Sequence, residues 1–450
     1  MNHQRVCTLL LYSVLFLSAC SEANPSFDTC PTRLNTCDFE SCNGKDDDFD
    51  GQIDESLTQP CVVSLNEIYE GDAGTFGQQI AVLPDQDGDG LDELLAVNAP
   101  PLAELDSNSI STLEVISSNT GNILWSKQDD GGFGASIALG HFIPGQSMHI
   151  AVGAPLKQNN ENDAVQLGEV YLLDFDGNTI TTISSNDSAQ GFGRSIQTLR
   201  QNSVDYLITS IPEHTAELIV DEVPMTRVNA GRISLYSFYI DESPRIVLDI
   251  IGSEPEQKLG ERVSALPDLN GDGVGELLST AWFTKGDTAD RQVFLFDGLN
   301  GQRKKRFSSS DFTDGSFGEQ IIHGSFGDRG QQLIAFSAPT VTTDLGPVGR
   351  VYFIDTEGAS EGVNSLRGED TQHGKRLLTF PLYKGGEGLL IASKGRLRVI
   401  GLGGEPIMDL VLPHNELPLL AIGQSPTKKG NYILYASFPK VSKIYRFSVR

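Results

Sequence analysis

Phe133-Gly134, Gly153-Ala154-Pro155 and Gly168-Glu169-Val170-Tyr171-Leu172-Leu173-Asp174 follow one another in a single stretch of this chain, and their return elsewhere decides the fold. The dipeptide recurs as Phe76-Gly77, Phe192-Gly193, Leu259-Gly260, Phe317-Gly318, His373-Gly374 and Ile422-Gly423. Copies lie roughly 50 to 65 residues apart, the period of stacked or circularised units that cannot bury their apolar faces alone. The second landmark, a small-small-Pro turn, returns as Asn98-Ala99-Pro100, Ser210-Ile211-Pro212, Ser337-Ala338-Pro339 and Ser437-Phe438-Pro439, with Thr280-Ala281-Trp282 and Ile391-Ala392-Ser393 as degenerate forms. Short apolar runs such as Leu94-Leu95-Ala96-Val97 and Leu333-Ile334-Ala335-Phe336 precede it and read as buried strands. A further strand follows, as in Gly231-Arg232-Ile233-Ser234-Leu235-Tyr236, then a Gly- or Asn-rich turn and another apolar stretch.

Four strands per copy is the count of a propeller blade. Seven copies occupy the chain from Cys61 onward, and the last lacks room for a fourth strand after Val449. Residues 62–68 precede the first Phe-Gly and have no blade of their own, so they are expected to pair as the outer strand of the final blade. That closure would protect both edges, since an unpaired edge strand templates aggregation. The chain is therefore expected to be all-β: a seven-bladed β-propeller over 61–450, closed by an N-terminal strand. A small Cys/Asp-rich module over 21–60 and a signal segment over 1–20 precede it.

The Phe-Gly, Gly-Ala-Pro and Asp-rich loop combination resembles the FG-GAP repeat family, the seven-bladed propeller of integrin α-subunits and of many bacterial surface proteins. Two copies carry sharper chemistry. Asp85, Asp87, Asp89 and Glu93 place oxygens at positions one, three, five and nine of a loop, and Asp268, Asn270, Asp272 and Glu276 do the same. Alternating oxygens with Gly at position six, here Gly90 and Gly273, suit Ca²⁺, a hard cation that takes six to eight oxygen ligands. The carbonyls of Leu91 and Val274, at position seven, are expected to add a ligand. The resemblance places such loops in the hairpin between the first two strands of a blade, and has Asp where this chain has Glu at position nine. The hairpins of copies two, three and five lack the ligand set.

Ahead of the propeller, Asp46, Asp48, Asp50, the Gln52 carbonyl and Asp54 or Glu55 repeat the alternating pattern and could hold a third Ca²⁺. The segment is similar to a short Cys-Asn-Gly-x-Asp-Asp-Asp metal-binding motif of myxobacterial secreted proteins, with Phe49 where that motif has a second Cys. Val6 to Leu17 is apolar but too short to span a bilayer, and reads as a signal peptide. It ends in Leu17-Ser18-Ala19-Cys20, which is similar to the bacterial lipobox; the resemblance implies lipidation of Cys20, a stable membrane anchor and a bacterial cell-envelope location, by default the outer membrane. Of six cysteines, Cys7 leaves with the signal and Cys20 takes the lipid, which leaves Cys30, Cys37, Cys42 and Cys61 for disulfides in an oxidising space. Four cysteines permit three pairings, and the sequence does not choose among them.

A formal net charge of −27 argues against a nucleic-acid partner, because phosphate neutralisation needs basic patches. No H-E-x-x-H or Walker loop occurs, and the S-x-x-K at Ser425 and at Ser437 each enclose a proline, so no enzyme is expected. The expected role is a monomeric, calcium-binding adhesion module for a protein or glycan. Its contact surface would be the connections 103–109, 157–166, 213–229 and 340–346, on the face opposite the cation hairpins. A rigid spacer in an envelope assembly and a surface hydrolase are the alternative roles.

Overall fold

The short apolar runs become the second strand of each unit, and their position explains their composition. His149–Ala154 is buried at every residue, as is Glu93–Asn98 up to its last. A strand flanked by neighbours on both faces has no solvent side, so its sequence loses the alternation of a half-exposed strand. The fourth strands, such as Ile123–Asp129 and Arg245–Ile251, lie nearer solvent: Ser126, Lys127, Gln128 and Asp129 end the first, while the second leaves Ile246, Val247 and Ile251 exposed. The computed structural model describes residues 62–449 apart from short segments at 72–74, 102–103, 159–166, 186–190, 202–203, 221–222, 286–287, 309–316, 327–330, 344–345, 356–363, 368–373, 383–385, 402–405 and 425–431. Among the described residues there is no helix. The signal segment, Cys20, the module with Asp46, Asp48, Asp50, Gln52 and Asp54, and the cysteines Cys30, Cys37, Cys42 and Cys61 lie outside them.

Four antiparallel sheets of four strands succeed one another over 79–129, 136–184, 196–251 and 263–308. An eight-stranded sheet covers 321–411. In the fifth four-stranded sheet, Leu419–Gln424, Tyr432–Phe438 and Lys443–Val449 are joined by Val62–Glu70 at the outer edge. The N-terminal strand runs antiparallel to Lys443–Val449 from the pair Val62 with Val449 to the pair Glu70 with Lys443. The arrangement is a β-propeller, as the repeat implies, and the strand over 62–68 sits where it was expected.

The expectation of seven separate blades needs correction. Five blades stand as independent four-stranded sheets, while the strands between 321 and 411 form one sheet. Its two halves are each an antiparallel meander, and a single parallel pair, Phe326 with Glu387, joins them. The reason is local: Glu387 accepts a hydrogen bond from the Ser325 amide at 2.6 Å, which draws the two hairpin ends together.

Apolar cores lie between successive units. Leu95, Val97 and Val115 of the first sheet meet Phe133, Val152 and Leu173 of the second. Leu94, Ala96 and Ile116 meet Ile433, Tyr435 and Ile444 of the closing sheet, so first and last units share a core like any other pair. The repeated dipeptide is the contact between units. Phe133 is fully buried, and Gly134 turns at φ 88°, where a Cβ would stand 2.7 Å from Val97 Cγ1 of the preceding unit. Gly77 plays the same part at the closure: its carbonyl accepts from Ser437 Oγ at 2.8 Å. Glycine supplies the left-handed turn and the close approach together.

Two outcomes follow. Gly134→Ala is expected to lower unfolding stability by about 2 kcal/mol or more in urea titration, from combined backbone strain and steric overlap; a loss within error of zero would show that the motif is not a required contact. A chain lacking residues 62–70 is expected to aggregate on size-exclusion chromatography, with monomer recovered when a peptide of that sequence is added.

Candidate functional site

Each Asp-rich loop joins the first strand of its sheet to the second. The first, 85–93, connects Gln79–Leu83 with Glu93–Asn98, and the second precedes Leu277–Lys285. Sequence repetition here becomes repetition of geometry. Asp85 accepts from the amides of Gly88 at 2.7 Å and Gly90 at 2.9 Å, and Asp268 accepts from Gly271 and Gly273, both at 2.7 Å. The position-three side chains, Asp87 and Asn270, accept from Asp89 and Asp272 two residues on. Those position-five carboxylates accept in turn from the amides of Leu91 and Val274 at 2.8 and 2.9 Å. A short acidic loop thereby satisfies its own backbone and points its remaining oxygens to one side of the turn.

In the first loop Asp85, Asp87 and Asp89 each bring one carboxylate oxygen within 4.8 Å of the others. Three oxygens of formal negative charge at that spacing repel one another in water, and a hard divalent cation relieves the repulsion. The second loop has Asn270 where the first has Asp87, so it gathers less charge; Asn270 Nδ2 donates to Asp272 Oδ2 at 3.0 Å and to Asp297 Oδ2 at 3.2 Å. Asp268 is held below the usual carboxylate range, first by the Gly273 amide and then by those of Gly271 and Asp272.

The position-nine residues are placed differently. Glu93 and Glu276 are buried, at 0 % and 2 % exposure. Glu93 Oε1 accepts from the amides of Gln86 and Asp87 at 3.0 and 3.3 Å, while its Oε2 accepts from Ser118 at 3.3 Å. Glu276 Oε2 accepts from Leu269 at 2.7 Å. Burial raises both carboxyls, and the donated amides offset it in part. Both residues tie the loop to the sheet. Of the position-seven residues, Val274 is buried in the core shared with the preceding sheet and Leu91 packs at the edge of the closing core.

Sequence reasoning did not identify Gln86, yet its side chain ties the first loop to its neighbours. Trp125 Nε1 donates to Gln86 Oε1 at 3.1 Å, and Gln86 Nε2 donates to the Phe175 carbonyl of the next sheet at 2.8 Å. Nothing in a Gln inside an acidic loop distinguishes it from a solvated residue.

The expected contact surface is more ordered than a set of loops. Within 213–229, Ala216–Val220 and Val223–Arg227 pair as a ribbon. The base of that ribbon is held where Asn229 Nδ2 donates to Glu256 at 3.1 Å and the Lys258 amide donates to the Asn229 carbonyl at 2.8 Å. Around 340–346 the strands Gln331–Thr343 and Gly346–Asp355 run on as one long hairpin. A comparable hairpin, Leu277–Lys285 with Thr288–Phe296, was not anticipated because its turn carries no repeat landmark. Lys157 pairs with Asp129 and, at 2.7 Å, with Asp130 of the preceding sheet. Most of the 157–166 connection lies outside the described residues.

No family model matches the chain. Over 182 residues it is 29% identical to integrin alpha-5 of Xenopus laevis, a match that covers 39% of this chain and 16% of that protein. The chain therefore corresponds to a small part of that relative's length. In fold it is similar to a crystal structure of BBS1N in complex with ARL6DN, soaked with lead, with a TM-score of 0.51 and 11% identity over 85% of this chain and 96% of that one. The first likeness is one of sequence to an integrin α-chain, and the second is one of fold alone.

Proposed function

We propose that this chain is a calcium-loaded β-propeller that binds a protein or glycan partner and performs no chemistry on it. The observation that carries the reading is the pair of loops built on one hydrogen-bond pattern, the first gathering three carboxylates within 4.8 Å, in a chain similar to an integrin α-subunit. On this reading the 321–411 sheet counts as two blades bridged by one residue pair, and the ring is sevenfold. Calcium would be held by Asp85, Asp87 and Asp89, with the carbonyl of Leu91 beside them. In the second loop Asp268, Asn270 and Asp272 would bind more weakly, with the Val274 carbonyl beside them. Bound there, the ion neutralises the carboxylates and stiffens the hairpin. The lipid anchor at Cys20, the disulfides among Cys30, Cys37, Cys42 and Cys61, the third cation site, the outer-membrane location and the monomeric state belong to the same proposal, and rest on the sequence motifs alone.

The partner surface is the face opposite the Asp-rich hairpins, where the ribbon over 216–227 and the two long hairpins project. Extracellular binding modules carry recognition on such projections because the ring beneath holds them in place at low entropic cost.

A ligand that binds only the folded state raises its apparent stability by mass action. With saturating Ca²⁺ the melting temperature is expected to rise by several degrees over the chelated protein, and Asp87→Ala, which removes the position-three oxygen, should remove one bound ion and at least half of that rise; an unchanged melting temperature with no metal by elemental analysis refutes the calcium reading. Replacing 216–227 by a short Gly-Ser linker should leave the melting temperature within about a degree while reducing capture of the partner from solubilised envelope severalfold. Undiminished capture would move the contact surface elsewhere.

A further inference from the structure

On the face opposite the Asp-rich loops, cationic side chains collect in a chain whose net charge is −27. They follow the repeat itself. The two residues after the repeat glycine are Gln78-Gln79 and Ala135-Ser136 in the first two copies and Gln424-Ser425 in the last. In the four copies between they carry charge, as Arg194-Ser195, Glu261-Arg262, Glu319-Gln320 and Lys375-Arg376, and the last three of these gather around one residue. Each pair enters the inner strand of its unit at the end remote from the Asp-loop position, so the topology brings the three together at the ring's other face.

Arg291, on Thr288–Phe296, is the centre of the group. It is 6 % exposed; its Nη1 donates to Glu319 Oε2 at 3.1 Å, and its Nη2 lies 3.5 Å from Glu261 Oε2. Arg262 Nη2 lies 3.6 Å from the other oxygen of Glu319, and Trp282 Nε1 donates to Glu261 Oε2 at 2.8 Å. The Arg291 guanidinium also lies over the Trp282 ring, 5.6 Å from its centroid. Arg376 Nη1 donates to the Lys375 carbonyl at 3.2 Å. Four cations, Arg262, Arg291, Lys375 and Arg376, thus face two carboxylates. The buried Nε–H groups of Arg291 and Arg376 have no hydrogen-bond partner among the described residues. A buried guanidinium with an unused donor is costly, and an incoming acceptor would relieve it. The field is felt on both sides. Burial pushes the Glu319 carboxyl up, but the Arg291 hydrogen bond and the charges of Arg262, Arg291 and Lys375 bring it below its ordinary value; burial and then Arg262 lower Arg376.

We propose that this cluster is a binding site for a carboxylate, contributed by an acidic segment of a partner protein. A guanidinium fork matches a carboxylate in its plane, and Glu261 and Glu319 already occupy the cluster in that role. A phosphate dianion would bring twice the charge against those two carboxylates. A uronic acid carries its carboxyl directly on a bulky ring, whereas an Asp or Glu side chain reaches the buried Arg291 on a narrow stem. Charge at three successive copies further suits an extended segment with acids at intervals. This inference rests on the reading of the chain as a binding propeller, and names the chemistry of its partner.

The test uses fluorescein-labelled octaglutamate and fluorescence anisotropy on the full chain in calcium-containing buffer. Wild type is expected to bind, with affinity that falls as salt rises. Arg262→Ala with Lys375→Ala, neither of them a core residue, should weaken binding roughly tenfold at unchanged melting temperature. Arg291→Lys keeps the charge but loses the fork, and should also weaken it. No binding by wild type, equal binding by the double variant, or stronger binding of polygalacturonate or tripolyphosphate would each overturn the proposal. The wider reading of a binding module is decided apart from this, by the ribbon replacement and envelope capture.

Discussion

The whole ring depends on the pairing of Val62–Glu70 with Lys443–Val449. Every unit buries its faces against two neighbours, so a row of units has two raw ends and only a closed ring has none. The seam is reinforced by a set of polar contacts. Tyr69 donates to the Ser117 carbonyl at 2.8 Å, Arg446 to the Ser118 carbonyl, and Ser118 Oγ meets the Tyr435 hydroxyl. Burial pushes the Tyr435 phenol up to about 12, so it remains a neutral hydrogen-bonding group. Glu93 joins this seam to the first Asp-rich loop, with one oxygen on Ser118 and the other on Gln86 and Asp87. Order in that loop and order at the closure are therefore connected through one buried carboxylate.

Much of this was legible in the sequence because the constraints that shape a repeat act at fixed positions. Phe133-Gly134 must supply a buried ring and a left-handed turn at once, and few residues do both, so the pair recurs. The unpaired strand before the first copy could be placed by counting, since the last copy was one strand short. The Asp-rich loops were legible as alternating oxygens. That their ninth residue is buried and accepts from loop amides was not, because a Glu at that position reads the same in sequence whether buried or exposed. The fusion of two units through Phe326 and Glu387 was also hidden: it depends on the approach of two hairpin ends far apart in the chain. The cationic cluster had a trace in the sequence, in charged residues after four successive repeat glycines, of which the last three contribute to it. Its centre, Arg291, sits in a strand with no landmark and could be found only in three dimensions.

The two faces of the ring differ in charge because the repeat separates them. Residues that enter an inner strand lie on one face and those that leave it lie on the other, so substitutions at two fixed offsets of the repeat load the faces independently. The Asp-rich loops use the exit offset in two units, and the arginines and glutamates use the entry offset in three. An acidic chain can in this way hold a local cationic field without giving up its overall repulsion of polyanions.

The partnership of 62–70 with 443–449 also governs when the molecule becomes itself. During synthesis the first strand emerges almost as soon as the ring begins, while its partner emerges only when the ribosome has reached Val449. Nearly the whole ring must wait, open-ended, for the pairing with the longest sequence separation it contains. Such pairings cost loop entropy and slow folding. The nascent chain is thus kept from its final shape until the last strand of the ring has been made, which leaves a long interval in which it remains threadable and dependent on chaperones.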